Sequence, residues 1–264
     1  MSDLHPALAR IAERLSVRGD GSFSLYKEGC FRRRIEVRMR ARSMASLDDY
    51  ADLLDREPME IERLAEVLSI GVTGFFRNPT AWRRLETLLA EEPTVPRAGW
   101  SAGCATGEEA YSLGFVLARR APGSWRVDAT DIDREALGIG RAGRYPASAG
   151  SVIAAYSPGA LLAEWGHHDD AGFEVDGSIR RGVHWSVGNL TDEWTGPPRY
   201  DVVVCRNVLI YFGAEGQQRV LTSLARGLKR RGLLFLGKAE LALHAEEVGL
   251  EAVDPRERIY RRAG

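Results

Sequence analysis

Residues 100–113 read Trp-Ser-Ala-Gly-Cys-Ala-Thr-Gly-Glu-Glu-Ala-Tyr-Ser-Leu, and no other stretch limits the fold as strongly. A short apolar approach from Ala98 to Ala102 runs into a loop with glycines at 103 and 107, which opens directly into a helical pattern. Strand, glycine turn and helix form the opening unit of a doubly wound α/β domain, where a nucleotide-like ligand lies beyond the end of the strand. Glycine suits the turn because positive φ costs it nothing and because it lets backbone approach a ligand without a Cβ in the way. Taken alone, Gly-x-x-x-Gly is a common βα turn, so the residues after it carry the assignment.

Glu108 and Glu109 fall in the first turn of that helix, where backbone N–H groups lack partners and the dipole is positive. A diphosphate would ordinarily sit there. Two carboxylates repel it, which argues against dinucleotides and ATP, and they favour a cation such as an amino group or a sulfonium. One of the pair serves as a helix cap, and the other is left for a ligand. Asp131 ends the next strand candidate, Trp125-Arg-Val-Asp-Ala-Thr-Asp131. It lies about 20 residues on, where ribose-binding carboxylates sit. A ribose-bearing cation held by Gly103, one glutamate and Asp131 suggests S-adenosylmethionine.

Several further motifs occur in order. They are Thr73-Gly-Phe-Phe-Arg77, Ala129-Thr-Asp-Ile-Asp133, Cys205-Arg-Asn-Val-Leu-Ile-Tyr-Phe212, Gly232-Leu-Leu-Phe-Leu-Gly237 and Asp254-Pro-Arg-Glu-Arg-Ile-Tyr260. Together with the glycine loop they resemble the CheR family of chemotaxis receptor methyltransferases across nearly the whole chain. The resemblance implies an α/β protein: a small all-α domain, then a Rossmann-like methyltransferase domain with a small antiparallel β-insertion. It implies S-adenosylmethionine as cofactor, S-adenosylhomocysteine as product, and glutamate side chains on chemoreceptors as substrate. Its cofactor contacts map onto Gly71, Thr73, Arg77, Gly103, Glu109, Asp131, Asn189, Leu190, Cys205, Arg206 and Asn207. Arg77 and Tyr211 match the pair that flanks the transferred methyl, so these two are the expected catalytic residues. Gly71 stands where the family usually has asparagine, and Lys238-Ala-Glu240 where it has His-Ser-Glu. Those departures keep two alternatives open: methylation of a different carboxylate, or a regulatory module that binds the cofactor without turnover.

The expected division is a helical domain over 1–68, a linker and linking helix over 69–96, and the methyltransferase domain over 97–264 with the insertion around 160–187. Leu8, Ile11, Ala12 and Leu15 recur at helical spacing, and residues 25–41 form a second helical stretch with Phe31, Ile35, Val37 and Met39. Ser46 is a plausible N-cap and Pro58 opens another helix. Phe75 and Phe76 read as packing anchors. Residues 200–205 form a buried parallel strand whose end delivers Arg206, Asn207 and Tyr211 to the ligand crevice. Asp176-Gly177 signals a hairpin inside the insertion. Some members of the family use that insertion to tether a receptor's C-terminal pentapeptide. No Gly-Gly pair occurs in the expected hairpin, so weak or no affinity for such a peptide is expected.

The second helical stretch carries Lys27, Arg32, Arg33, Arg34, Arg38, Arg40 and Arg42 against Glu28 and Glu36. It reads as a solvated face or as a docking surface for an acidic helix. The resemblance supplies the partner, the glutamate-rich methylation helices of chemoreceptors. The formal net charge of −1 over 264 residues gives no case for nucleic acid. Cys30, Cys104 and Cys205 lie far apart with no metal-binding spacing, and His167-His168 lacks a third ligand nearby, so no metal site is expected. With no signal pattern and no long apolar run, a cytoplasmic monomer without membrane insertion is the expectation.

Overall fold

The computed structural model describes residues 5–17, 23–68, 73–157, 164–169 and 171–264. The chain opens with helices α1 (Pro6–Val17), α2 (Glu28–Ala41), α3 (Leu47–Arg56) and α4 (Pro58–Leu68). Their apolar stripes close on one another, with Leu8, Ile11, Phe31, Ile35, Tyr50 and Leu64 in a single core. Ser46 caps α3 by accepting the Asp49 backbone N–H at 3.3 Å. The second helix starts later than the expected residue 25. Phe23–Leu25 is one 3-10 turn, Tyr26 is bridged, and Lys27 caps α2 in extended conformation. The cause is tertiary. Lys27 N–H donates to the Tyr211 carbonyl and Gly213 N–H to the Leu25 carbonyl, both at 2.8 Å, around an antiparallel bridge between Tyr26 and Phe212. Val37 is 45% exposed and belongs to no core.

Helix α5 (Pro79–Glu91) leads into alternating strands and helices. These are β1 (Ala98–Ala102), α6 (Glu108–Arg120), β2 (Arg126–Asp131), α7 (Arg134–Ala142), β3 (Arg144–Tyr145) and α8 (Ser148–Tyr156). Next come β4 (Gly166–Asp169), β5 (Gly172–Val175), α9 (Gly177–Gly182), β6 (Val183–Val187) and β7 (Tyr200–Cys205). The last are α10 (Ala214–Gly227), β8 (Leu228–Leu236), β9 (Leu250–Asp254) and β10 (Ile259–Arg262). Seven strands make one sheet in the order β6-β2-β1-β7-β8-β10-β9, parallel from β6 to β8, with β10 antiparallel to both its neighbours. Period-two alternation sorts the strand residues into two cores. Val127, Ala129, Val202, Val204 and Phe235 pack with Trp82 of α5 and Phe115 of α6. Trp100, Ala102, Val203, Cys205 and Leu236 pack with Leu221 and Leu224 of α10. Phe75 and Phe76 are 4% and 1% exposed, and Phe76 stacks on Tyr156 at 3.7 Å, so both are anchors as expected.

β1 lies between β2 and β7, so the strand order reverses there, and such a switch point opens a crevice at the carboxyl ends of the strands. The separate antiparallel sheet runs β3-β5-β4. The hairpin expected at Asp176-Gly177 is not formed. Asp176 instead accepts the Ser178 N–H at 2.7 Å and caps α9, after which β6 joins the main sheet parallel to β2. The insertion turns earlier, between the paired residues Asp169 and Gly172. The segment around 160–187 therefore gives its last strand to the main sheet. His167 and His168 are exposed on β4. No helix among the described residues is long and apolar enough to cross a membrane.

Candidate cofactor site

The loop after β1 is bound to the end of β2. Gly103 and Cys104 both donate their N–H to the Thr130 carbonyl, at 2.8 and 3.0 Å. Asp131 accepts the Ala105 N–H at 2.7 Å and the Asp133 N–H at 3.0 Å. Burial pushes the Asp131 carboxyl above its usual range, and those backbone donors pull against it. Gly103 has φ +76°, and a Cβ added there would lie 2.7 Å from a Val208 methyl. The glycine thus keeps the floor of the crevice open.

The facing wall is the loop after β7, where Asn207 adopts a left-handed φ of 62°. Glu240, 2% exposed, holds that loop. One carboxylate oxygen accepts the N–H groups of Val208 and Leu209, both at 2.7 Å, and the other those of Asn207 at 2.9 Å and Gly237 at 2.5 Å. Burial raises its pKa and the four donors lower it. In the sequence Glu240 stands out only as the last member of the triplet Lys238-Ala-Glu240. The one available signal was an acidic residue just beyond a buried strand.

Two cavities meet between these loops. The larger, about 640 Å³ including space open to solvent, is lined by Asp131, Ile132, Asn189, Leu190, Tyr211 and Phe212 among others. The smaller, about 370 Å³ and more polar, is lined by Thr73, Arg77, Glu109 and Arg206. Gly103, Ala105, Asn207 and Val208 border both. Glu108 and Glu109 have different surroundings. Glu108 accepts the Thr106 hydroxyl at 2.7 Å within the turn, whereas Glu109 enters the polar cavity. Glu109 is 7% exposed, and its only hydrogen bond among the described residues is from the Ser101 hydroxyl at 3.1 Å. Burial pushes its carboxyl up to about 7, against the pull of Arg206 and Ser101. Arg206 donates to Asn78 Oδ1 at 2.8 Å, while its Nε is buried and bonded to no described residue.

This donor set fits S-adenosylmethionine: a carboxylate for ribose hydroxyls, a buried carboxylate for an ammonium, and a guanidinium nitrogen with capacity left for a carboxylate. Arg77 is exposed on the polar cavity, and Tyr211 is half-buried on the larger one. Burial raises the Tyr211 pKa, and Arg34 and Arg77 act against it. The Asn189 side chain shapes its own turn, donating to Thr191 Oγ1 at 2.6 Å and accepting the Thr191 N–H at 3.1 Å. Cys205 differs from its neighbours Arg206 and Asn207. It is fully buried beside Val203 on the α10 face and lines neither cavity, because the strand's alternation turns it into the core. Gly71 lies outside the described residues. Among the described residues no group of three or more His, Cys, Asp or Glu is placed to hold a metal ion.

The basic stretch also divides. Arg34 donates to the Val67 carbonyl at 2.6 Å, and Arg38 grips the buried Glu60 through two hydrogen bonds of 2.6 and 2.8 Å. Arg42 pairs with Glu57 at 2.9 Å. Arg33 and Arg40 are exposed and form no ion pair with any described residue.

Strand order, glycine loop and acidic β2 terminus define a Rossmann-like, S-adenosylmethionine-dependent methyltransferase domain behind a small all-α domain. Residues 71–254 match the CheR methyltransferase SAM-binding domain and residues 6–69 the CheR methyltransferase all-alpha domain. The chain belongs to the CheR methyltransferase family. It is 34% identical over 269 residues to the "uncharacterized 104.1 kDa protein in hypE 3'region" of Rhodobacter capsulatus, covering 97% of this chain but only 27% of that protein. It is 28% identical to the chemotaxis protein methyltransferase of Listeria monocytogenes, covering 88% of each. The Escherichia coli chemotaxis protein methyltransferase is 31% identical, with 93% of this chain and 87% of that one covered.

Proposed function

We propose that this protein transfers the methyl group of S-adenosylmethionine to glutamate side chains of chemoreceptors, forming glutamyl methyl esters, as a cytoplasmic monomer. The observation that carries the reading is the junction of the two cavities, with Asp131 on one, Glu109 and Arg206 on the other, and Arg77 and Tyr211 among their linings. Asp131 would accept from the ribose hydroxyls, Glu109 would hold the amino group and Arg206 the carboxylate, while Asn189 and Leu190 flank the adenine. The cofactor supplies a methyl group on a sulfonium, a leaving group that needs no proton. A glutamate side chain in water titrates near ~4.3 and is already ionised at neutral pH, so no residue of the site has to act as general base. What remains for the protein is alignment, which can contribute ~7–11 kcal/mol. Arg77 and Tyr211 are assigned to orient the acceptor carboxylate. Lys27, Arg33 and Arg40 of the α2 segment are assigned to meet the acidic methylation helix.

The test is transfer of labelled methyl groups to receptor-containing membranes, followed by treatment with base. Base-labile label is expected. Label absent from receptors, in a protein that still binds S-adenosylhomocysteine, would overturn the substrate assignment.

A further inference from the structure

Arg206 and Glu109 line the same polar cavity, at 6% and 7% exposure. Burial lowers the Arg206 pKa and raises that of Glu109, and the attraction between the two charges opposes both shifts. A buried guanidinium near a buried carboxylate would ordinarily close into an ion pair. Their hydrogen bonds go elsewhere: Glu109 accepts from the Ser101 hydroxyl at 3.1 Å, and Arg206 Nη2 donates to Asn78 Oδ1 at 2.8 Å. The Arg206 guanidinium also lies over the Phe235 ring at 4.6 Å and the Trp82 ring at 5.9 Å, measured to the centroids. The rings hold its faces, and Asn78 holds one end of the fork.

Position 78 is committed to that contact. Asn78 is the N-cap of α5, where an asparagine side chain ordinarily accepts an N–H from the first turn of its own helix. Here the side chain caps nothing, and the backbone is left-handed, with φ 61° and ψ 71°. Asparagine tolerates that region better than most residues do. The start of α5 is served by other means: Pro79 needs no partner for a donor it lacks, and the Asn78 carbonyl accepts the Ala81 N–H at 2.9 Å.

We propose that Asn78 is a positioning residue that holds the Arg206 guanidinium off Glu109, so that the two charges stay apart and face opposite ends of a zwitterion, the amino-acid part of the cofactor. The inference rests on reading the polar cavity as part of the S-adenosylmethionine site. Without the Asn78 acceptor the guanidinium is free to turn toward Glu109, and each arriving ligand would have to order it again.

The experiment is calorimetric titration of the full chain with two probes, S-adenosylhomocysteine and methylthioadenosine, which has the adenosine but no amino-acid end. Asn78→Gly removes the acceptor and suits a positive φ, so the melting temperature of the cofactor-free protein should stay close to that of the unaltered one. The variant is expected to bind S-adenosylhomocysteine roughly two- to tenfold more weakly, the scale of ordering one released side chain on binding. Its affinity for methylthioadenosine should not change. Asn78→Asp offers an acceptor of the same shape and tolerates the same backbone, and it should recover most of the loss. Equal losses for both probes, or a loss that Asn78→Asp does not recover, would make Asn78 a support of its loop and overturn the proposal. Unchanged S-adenosylhomocysteine affinity in Asn78→Gly would overturn it too, while the cofactor reading stands. If the unaltered protein binds neither probe, both fall.

Discussion

Glu60 in the helical domain and Glu109 beside the polar cavity are both withdrawn from water, at 1% and 7% exposure, and the fold treats them oppositely. Burial acts to raise the Glu60 pKa, yet two hydrogen bonds from Arg38 and one from the Tyr50 hydroxyl at 3.0 Å outweigh it and hold the carboxyl below its usual range. Glu109 has Ser101 as hydrogen-bond donor, and its carboxyl rises to about 7. Glu240 has four backbone donors, and burial still leaves its carboxyl above the usual range. A carboxylate whose partners are all internal builds the fold. One left under-partnered by the fold is available to a ligand.

The largest effect should come from the satisfied carboxylate. Arg38→Ala leaves Glu60 charged and buried with its main partner gone, which typically costs about 3–5 kcal/mol. Urea unfolding should show that loss. A change below about 1 kcal/mol would mean the pair is solvated and the contrast with Glu109 is false. Glu240→Gln comes next. The amide replaces one acceptor oxygen with a donor, so two buried N–H groups in the 207–209 and 237 segment lose their partner, at about 1–3 kcal/mol each. Turnover and S-adenosylhomocysteine affinity should fall together, since the same loop borders both cavities. Full activity in this variant would show that the loop keeps its shape without the hub.

Glu109 predicts two opposed pH slopes. Its folded pKa of about 7 exceeds the ordinary 4.5, so between these values the cofactor-free fold holds a proton that the unfolded chain has released. Stability contributed by this group is present below 4.5, declines as pH rises, and is gone above about 7. Binding a cationic amino group requires the ionised form. Cofactor affinity should therefore rise across the same window, by up to about tenfold per pH unit, and level off above 7. Glu109→Gln should flatten both slopes and weaken binding, while Glu108→Gln should leave the affinity slope in place. A slope that survives Glu109→Gln would assign the titration to another group.

What the sequence made legible was local and chemically strict. Positive φ at Gly103, a carboxylate ending β2 and the apolar run of β7 each have few other uses, and each lies where the pattern placed it. The misreadings share one cause: a single local chemistry serves two structures. Asp176-Gly177 can turn a hairpin or cap a helix, because in either case a short carboxylate accepts an N–H two residues on, here that of Ser178. Arg38 looks like any exposed arginine until Glu60, 22 positions away in sequence, is brought to it. The same holds for Glu240, whose backbone partners lie on loops that only the folded sheet brings near. Cys205 shares a motif with Arg206 and Asn207, yet its side chain packs in the core, as alternation along a strand directs.

The smallest predicted effect separates the outward charges of α2 from the inward ones. Arg34 and Arg38 are committed to Val67 and Glu60, so altering them would confuse docking with stability. Arg33 and Arg40 are exposed, and their joint replacement by alanine should leave unfolding and S-adenosylhomocysteine affinity unchanged. An acidic receptor helix would still meet fewer positive charges. At low salt the Michaelis constant for receptor should rise roughly two- to fivefold, the scale of exposed charge pairs. The difference should shrink as the Debye length falls from about 10 Å at 0.1 M salt. A Michaelis constant indifferent to both the substitution and salt would move receptor recognition away from α2. The other face available is the insertion, where β4 is an edge strand carrying exposed His167 and His168.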